Sequence, residues 1–165
     1  MGLFCSGLLH AFSVQAGSMT PAMTRGDQFV MEGLTFLARK PRRGDIVVMK
    51  TDGIAVLPPG GVYIKRVVGE PGDRLRLSQG TLYVNESPVT LQNEAGAIRY
   101  LSVRGERFLT SIGDLVTVPE NHYFLVGDNS ADSADSRIWG SVPAKNIMGR
   151  VAFRYWPVAR AGRVK

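Results

Sequence analysis

Short apolar runs closed by turns recur along most of this chain, the pattern of strands joined by tight connections. Residues 45–50, with Ile46, Val47 and Val48, read as a buried strand. Pro58-Pro59-Gly60-Gly61 turns the chain into residues 62–68, where Val62, Ile64 and Val67 or Val68 supply apolar positions around Lys65, and residues 69–73 end that strand. Between 74 and 113, strands such as 75–77 and 81–84 alternate with polar connections, including Asn85-Glu86-Ser87-Pro88, as expected of an inserted β excursion. Residues 123–126 form another apolar strand before a polar run at 127–137. The stretch 150–156 alternates Val151, Phe153 and Tyr155 against Arg150, Ala152 and Arg154. Residues 28–37 fit either a strand or a short helix. With no repeat or low-complexity tract, the pattern predicts a mainly β protein with an antiparallel sheet core.

The first 24 residues differ in kind, because they carry no charged side chain and include Leu3, Phe4, Leu8, Leu9, Phe12 and Val14. A bilayer-spanning helix needs about 20 predominantly apolar residues, and Ser6, Gly7, His10 and Ser13 interrupt this stretch. Residues 1–15 are therefore expected to be a short membrane-proximal segment, an interfacial anchor or the end of a longer helix. No basic residue precedes the apolar run, which disfavours a cleaved secretory signal. Residues 16–165 are expected to form one β domain carrying the excursion at about 74–113. The loop Ala16-Gly17-Ser18-Met19-Thr20-Pro21 opens it with irregular, exposed backbone.

Composition narrows the chemistry. At 165 residues and 44% hydrophobic content a real core can close. The net charge of +6 concentrates at Arg39, Lys40, Arg42 and Arg43 and again at Arg154, Arg160, Arg163 and Lys165. Neither cluster has the interleaved aromatics of a single-strand-binding groove, so nucleic acid is not an expected partner; the charges read as solvated loops or, otherwise, as attraction to anionic lipid head groups. A single cysteine, Cys5, and two histidines exclude an intrachain disulfide and make a zinc site unexpected. No metal and no cofactor are expected.

A serine hydroxyl is inert at neutral pH unless a base takes its proton. Lys65 is a candidate base, because it lies beside Arg66 in an apolar strand where alternation turns one of the two inward. Burial disfavours an ammonium and brings a lysine towards a usable pKa of roughly 7 to 8. Taken alone, Ser18 could equally be a helix cap and Lys65 a surface residue of an edge strand.

Four segments occur in order: Ser18-Met19-Thr20-Pro21; Arg43-Gly44-Asp45-Ile46-Val47-Val48; Lys65-Arg66-Val67-Val68-Gly69-Glu70-Pro71-Gly72-Asp73; and Gly127-Asp128-Asn129 continuing to Ser133-Ala134-Asp135-Ser136-Arg137. Together they closely resemble the type I signal peptidase family over residues 16–156, least so across 74–113. The resemblance implies a signal-peptidase-like antiparallel sheet core and a membrane-associated serine endopeptidase that removes signal peptides from secreted preproteins on the outer face of the membrane. It implies Ser18 as nucleophile, Lys65 as general base and Ser133 as a hydroxyl that hydrogen-bonds the lysine amine. It further implies Asp135 and Arg137 as a structural ion pair, with Asp128 and Ser136 as further supports, and small residues at the first and third substrate positions before the cut.

One position departs from that pattern. Many family members carry a serine two residues before the nucleophile as an oxyanion donor, and this chain has Ala16. The Ser18 backbone N–H is left to serve alone or with another donor or water, where a lost donor costs about 10² to 10³ in rate. Two alternatives stay open: a pilin-precursor or conjugation-related peptidase of the same superfamily, and a catalytically silent β module that binds peptide or membrane. A self-cleaving repressor of the SOS type shares the dyad and cuts Ala-Gly bonds such as Ala16-Gly17 or Ala95-Gly96, but no helix-turn-helix precedes them.

Overall fold

The computed structural model describes residues 9–101, 105–109 and 114–164. Its main sheet has seven strands. These are β1 (Leu9–Ser13), β2 (Gln28–Glu32), β3 (Ile46–Lys50), β4 (Val62–Gly69), β11 (His122–Val126), β12 (Val142–Pro143) and β13 (Ile147–Trp156). They lie in the order β1-β2-β13-β3-β4-β11-β12, with every neighbouring pair antiparallel. Two single-turn helices flank it, α1 (Thr35–Ala38) and α2 (Ser136–Trp139). Between β4 and β11 the chain makes a smaller sheet from β5 (Arg74–Ser78), β6 (Thr81–Val84), β7 (Ser87–Val89) and β10 (Val116–Thr117), ordered β10-β5-β6-β7. A hairpin of β8 (Gln92–Asn93) and β9 (Gly96–Ala97) also lies there. The fold is mainly antiparallel β, as the sequence pattern predicts.

Why the central strands read as unbroken apolar runs is evident from their two faces. In β3, Ile46 and Val48 pack with Met19, Met23, Phe29 and Met31, while Val47 and Met49 pack with Val67, Tyr123, Leu125 and Trp139 on the other side. Residues Phe124 and Val126 of β11, with Val68 of β4, receive Leu75, Leu77, Leu82 and Val84 from the smaller sheet. A strand covered on both faces has no polar side to alternate with. The excursion thus closes one flank of the main sheet, and the loop after β1 closes another.

Several elements differ from expectation. Residues 28–37 divide into β2 and α1. Strand β13 begins at Ile147, earlier than the alternation at 150–156 indicates, and its register against β2 shifts between Val151 and Phe153 and again between Arg154 and Trp156. Of the segment expected to be membrane-proximal, residues 1–8 lie outside the described residues, while 9–13 are strand rather than the end of a helix. Leu9, Ala11 and Ser13 point outwards while His10 and Phe12 turn inwards, and Phe12 stacks on Phe29 with ring centroids 5.7 Å apart. That two-residue period suits a half-covered edge strand. No helix among the described residues is long and apolar enough to cross a membrane.

Gly149 marks a tight contact between β13 and β2. A Cβ there would sit 2.6 Å from the carbonyl oxygen of Glu32, a backbone atom pinned in the neighbouring strand. Gly149→Ala is expected to destabilise the protein by about 1–3 kcal/mol through overpacking, seen as a lower midpoint in urea. An unchanged midpoint would mean that the two strands part there freely.

Candidate active site

The nucleophile loop leaves β1 and is buried through its apolar side chains, with Met19, Ala22 and Met23 all in the core. Its backbone is held by residues distant in sequence. The Asn129 N–H donates to the Ser18 carbonyl at 3.0 Å, and the Asn129 side-chain amide donates to the Gly17 carbonyl at 3.1 Å. Held in this way, half-buried Ser18 presents Oγ 2.8 Å from Lys65 Nζ. The Ser18 backbone N–H has no acceptor among the described residues and is free to bind an incoming oxygen.

Lys65 comes from the middle of β4, where it pairs across with Val47 of β3. Only 4% of the residue is exposed. Burial lowers its pKa from 10.5 to about 8; the Asp135 charge pulls the other way and the Arg137 charge adds to the lowering. The ammonium also lies 5.6 Å from the Tyr63 ring centre. Alternation needs only one of Lys65 and Arg66 to turn inwards, yet both are buried, because β4 is covered on both faces. Arg66 meets Asp128 in a two-pronged pair at 2.7 Å for each contact, and it also donates to the Gly44 carbonyl. The neighbouring guanidinium is thereby neutralised in place.

Asp135 and Arg137 form a wholly buried pair. Asp135 accepts from the Arg137 Nε at 2.9 Å and its terminal nitrogen at 2.7 Å, and it also accepts the Gly127 N–H. The other Arg137 donors reach the Leu101 carbonyl and the Ser130 hydroxyl and carbonyl, so all five guanidinium N–H groups are used. Ser136 Oγ accepts the Leu125 N–H at 3.0 Å, which ties α2 to β11. These contacts fix the polar run 127–137 against the strand beside Lys65.

Ser133 behaves differently from its implied role. Its hydroxyl is buried without a hydrogen-bond partner, and the lysine amine is not bonded to it. It nevertheless lies at the site, because a Cβ placed on Gly127 would collide with both Ser133 Oγ and the Ser18 carbonyl oxygen. The bare Gly127 backbone is what lets these two serines approach. Ala16 lies exposed at the rim. The histidines stand apart, His10 on β1 and His122 against the Glu120 carbonyl. Sequence reasoning missed Arg66, Asn129 and Ser130; a basic residue inside an otherwise apolar strand was the one available signal, for Arg66.

A cleft of about 590 Å³ opens at this dyad, lined by residues 12–19, Val62, Tyr63, Ile64, Lys65, Asp132 and Ala134. Strand β1 is one of the sheet's two edge strands. Strand β4 pairs with β3 along 62–66, but β11 reaches it only at Arg66, Val67 and Gly69, leaving the other edge of 62–65 unpaired. Two stretches of open backbone edge thus border one cleft, with the hydroxyl–amine pair at its end.

The chain is similar to known proteins and spans about two fifths to two thirds of the length of the first relatives it matches. The family described as signal peptidase, peptidase S26, matches residues 1–156. The chain is 35% identical to a probable signal peptidase I-2 of Synechocystis over 90% of its own length and 64% of that protein's. It is 34% identical to thylakoidal processing peptidase 1 of Arabidopsis thaliana over 96% of this chain and 45% of that one. Against signal peptidase I of Leptolyngbya laminosa it is 31% identical over 92% and 70% of the two chains. A crystal structure of a signal peptidase I from Enterococcus faecalis aligns with TM-score 0.49 and 25% identity, over 69% of this chain and 98% of that one.

The titration of Lys65 has a measurable consequence. Between its native pKa of about 8 and its ordinary 10.5, the unfolded chain holds a proton that the folded chain has released, so stability rises with pH across that window. Below pH 8 the cost of the buried ammonium is fully present. Lys65→Met is expected to be more stable than the parent at pH 7, by on the order of 3 kcal/mol, with the difference shrinking between pH 8 and 10.5. Urea unfolding at several pH values measures it, and a difference that ignores pH would show that the amine does not titrate in this window.

Proposed function

The chain belongs to the signal peptidase family, peptidase S26, and from that premise we propose that it is a serine endopeptidase removing signal peptides from secreted preproteins through Ser18 and Lys65. The observation that carries the reading is the 2.8 Å contact between a half-exposed hydroxyl and a buried amine at the end of an open cleft. An extended peptide adds between the open edges of β1 and β4 and is held by main-chain hydrogen bonds. Phe12, Val14, Met19 and Ile64 line the cleft with apolar surface beside the small Ala16 and Ala134, a lining suited to short apolar side chains before the cut.

In the proposed reaction, Ser18 Oγ attacks the scissile carbonyl carbon while neutral Lys65 accepts its proton. The negative oxygen that forms meets the Ser18 backbone N–H. Lys65 then passes its proton to the departing amine nitrogen, the C–N bond breaks, and an ester on Ser18 remains. Water attacks that ester as Lys65 takes a proton from it; the proton returns to Ser18 Oγ and the carboxylate product leaves. Asp135, Arg137, Asp128, Ser136 and Gly127 hold the surrounding backbone, and Ser133 supplies a spare hydroxyl within the site.

The test is cleavage of a peptide with an Ala-x-Ala site, in detergent. We expect Ser18→Ala and Lys65→Ala each to lower kcat by at least about 10³, and the parent rate to rise with pH and level off above about pH 8, where Lys65 is neutral. Retained cleavage in either variant would sink the dyad, and a folded parent that leaves the peptide intact would favour a silent binding module.

We further propose contact with an anionic membrane at the extracytoplasmic face. The surface that supports it is exposed Leu34 and Leu37 followed closely by Lys40 and Arg42, which are exposed and have no acidic side-chain partner among the described residues. Phe29 and Met31 are wholly in the core and take no part. In flotation with vesicles containing anionic lipid, Lys40→Gln with Arg42→Gln is expected to weaken binding by about 2 kcal/mol, and Leu34→Ser with Leu37→Ser to weaken it at any salt concentration. Unchanged flotation for both pairs would remove the membrane from this surface.

A further inference from the structure

Behind the nucleophile loop, away from Lys65, lies a cluster of charges that the reaction does not use. Arg154, on β13, is 3% exposed, and Asp27, at the foot of β2, is 2% exposed. Arg160 follows the end of β13, and Glu94 sits at the tip of the β8–β9 hairpin. Arg154 and Arg160 share both carboxylates: Glu94 takes one guanidinium on each oxygen, at 2.6 Å and 3.0 Å, and Asp27 takes Arg160 at 3.0 Å and Arg154 at 3.4 Å. Two positive and two negative charges make the cluster neutral. Burial opposes the Glu94 charge, but its hydrogen bonds from Arg154 and Arg160 prevail and hold its carboxyl below the ordinary carboxylate pKa.

Arg154 Nε donates to the Arg160 carbonyl at 2.7 Å, and other donors of the two arginines reach the nucleophile loop. Arg154 donates to the Ala22 carbonyl at 2.7 Å, and Arg160 donates to the Pro21 carbonyl at 2.8 Å and to Thr24 Oγ1 at 2.6 Å. Together with Asn129, which binds the carbonyls of Gly17 and Ser18, this gives four carbonyl groups in six residues of irregular loop, each held by a donor more than a hundred residues away. Asn129 grips the loop beside Ser18, and the arginines grip it three and four residues further on. Arg160 also lies outside the 1–156 stretch matched by the family.

We propose that Arg160 is a positioning residue for Ser18: with Arg154 it clamps the nucleophile loop at Pro21 and Ala22, and Glu94 of the excursion sets the angle of both guanidiniums. A planar fork held by carboxylates at fixed positions aims its other N–H groups in one direction. The clamp therefore joins three parts of the chain, the excursion, the segment after β13 and the loop, and it fixes the end of the loop that Asn129 does not reach. As a statement about catalysis, this inference rests on the proposed peptidase activity. As a statement about the loop it stands on geometry alone.

The experiment measures both in the full chain. Hydrogen exchange is followed in peptides covering residues 16–24, with 46–50 and 122–126 as internal references, for the parent, Arg160→Met and Glu94→Gln. We expect exchange in 16–24 to quicken about tenfold in Arg160→Met, less in Glu94→Gln, and the reference strands to stay unchanged. With the Ala-x-Ala peptide, kcat should fall about tenfold or more while KM stays within about twofold and the pH midpoint stays near 8. Added guanidinium in the low millimolar range should restore part of the kcat of Arg160→Ala. Unchanged exchange in 16–24 would overturn the clamp. Faster exchange with normal kcat would overturn its positioning role, as would a loss confined to KM or a moved pH midpoint. A parent chain that does not cleave the peptide would count against the proposed activity, leaving the exchange rates to judge the clamp.

Discussion

An amine withdrawn from water and given no carboxylate to grip is a poor place for a positive charge, and the environment of Lys65 is organised around that constraint. Other charges lie close by in the same interior, and each is answered locally. Arg66 is matched by Asp128 and Arg137 by Asp135, both pairs almost wholly buried. The Asp135 charge favours a proton on Lys65, but burial outweighs it and the paired Arg137 works against that proton as well. Burial can then lower the amine's pKa without a competing ion pair. Removing Arg137 would do more than unpair a carboxylate; it would leave the Asp135 charge unopposed beside Lys65 and return the amine towards an ordinary, protonated lysine.

The same interior fixes the hydroxyl. Ser18 belongs to no strand or helix, so nothing intrinsic to the loop sets the position of Oγ. Its place comes from apolar anchors on one side, Met19, Ala22 and Met23, and from captured carbonyls on the other. A hydrogen bond spanning 47 residues can be short and specific only if both ends are rigid. The β4 end is rigid because it lies inside a sheet. The Ser18 end depends on donors from 127–137 and from the segment at and beyond the end of β13, which is why the polar run after β11 is so heavily cross-linked to itself.

How far this was legible from the sequence depends on whether the controlling contacts are local. Strands β3, β4 and β11 are readable because double-sided burial writes itself as consecutive apolar residues. The dyad residues stand in ordered segments that resemble a family, so their candidacy was readable too. By contrast, β1 is short, half-covered and interrupted by polar residues, and its two-residue period was hidden inside an apolar stretch that also suits a membrane-proximal segment. Arg66 with Asp128 lies 62 residues apart, and Arg154 with Glu94 lies 60 apart. No periodicity joins such positions. Ser133 gives the opposite lesson: a role implied by resemblance puts its hydroxyl on Lys65, whereas the packing around Gly127 leaves that hydroxyl buried and unbonded.

The open edges beside the dyad also bear on what the cleft can accept. Unpaired strand edges invite edge-to-edge association, which sheet proteins ordinarily prevent by covering or charging them. Here β1 and the first half of β4 leave theirs uncovered, but both border the same cleft rather than separate outer surfaces. A strand that enters must present both of its own edges at once. A strand within a folded sheet has at most one to offer, so the proposed mode of peptide binding disfavours folded proteins whatever their sequence. An isolated extended segment has both edges free. Under the proposed binding mode, a preference for an unfolded segment thus precedes any preference for small side chains, and it follows from the strand order and the short β4–β11 pairing.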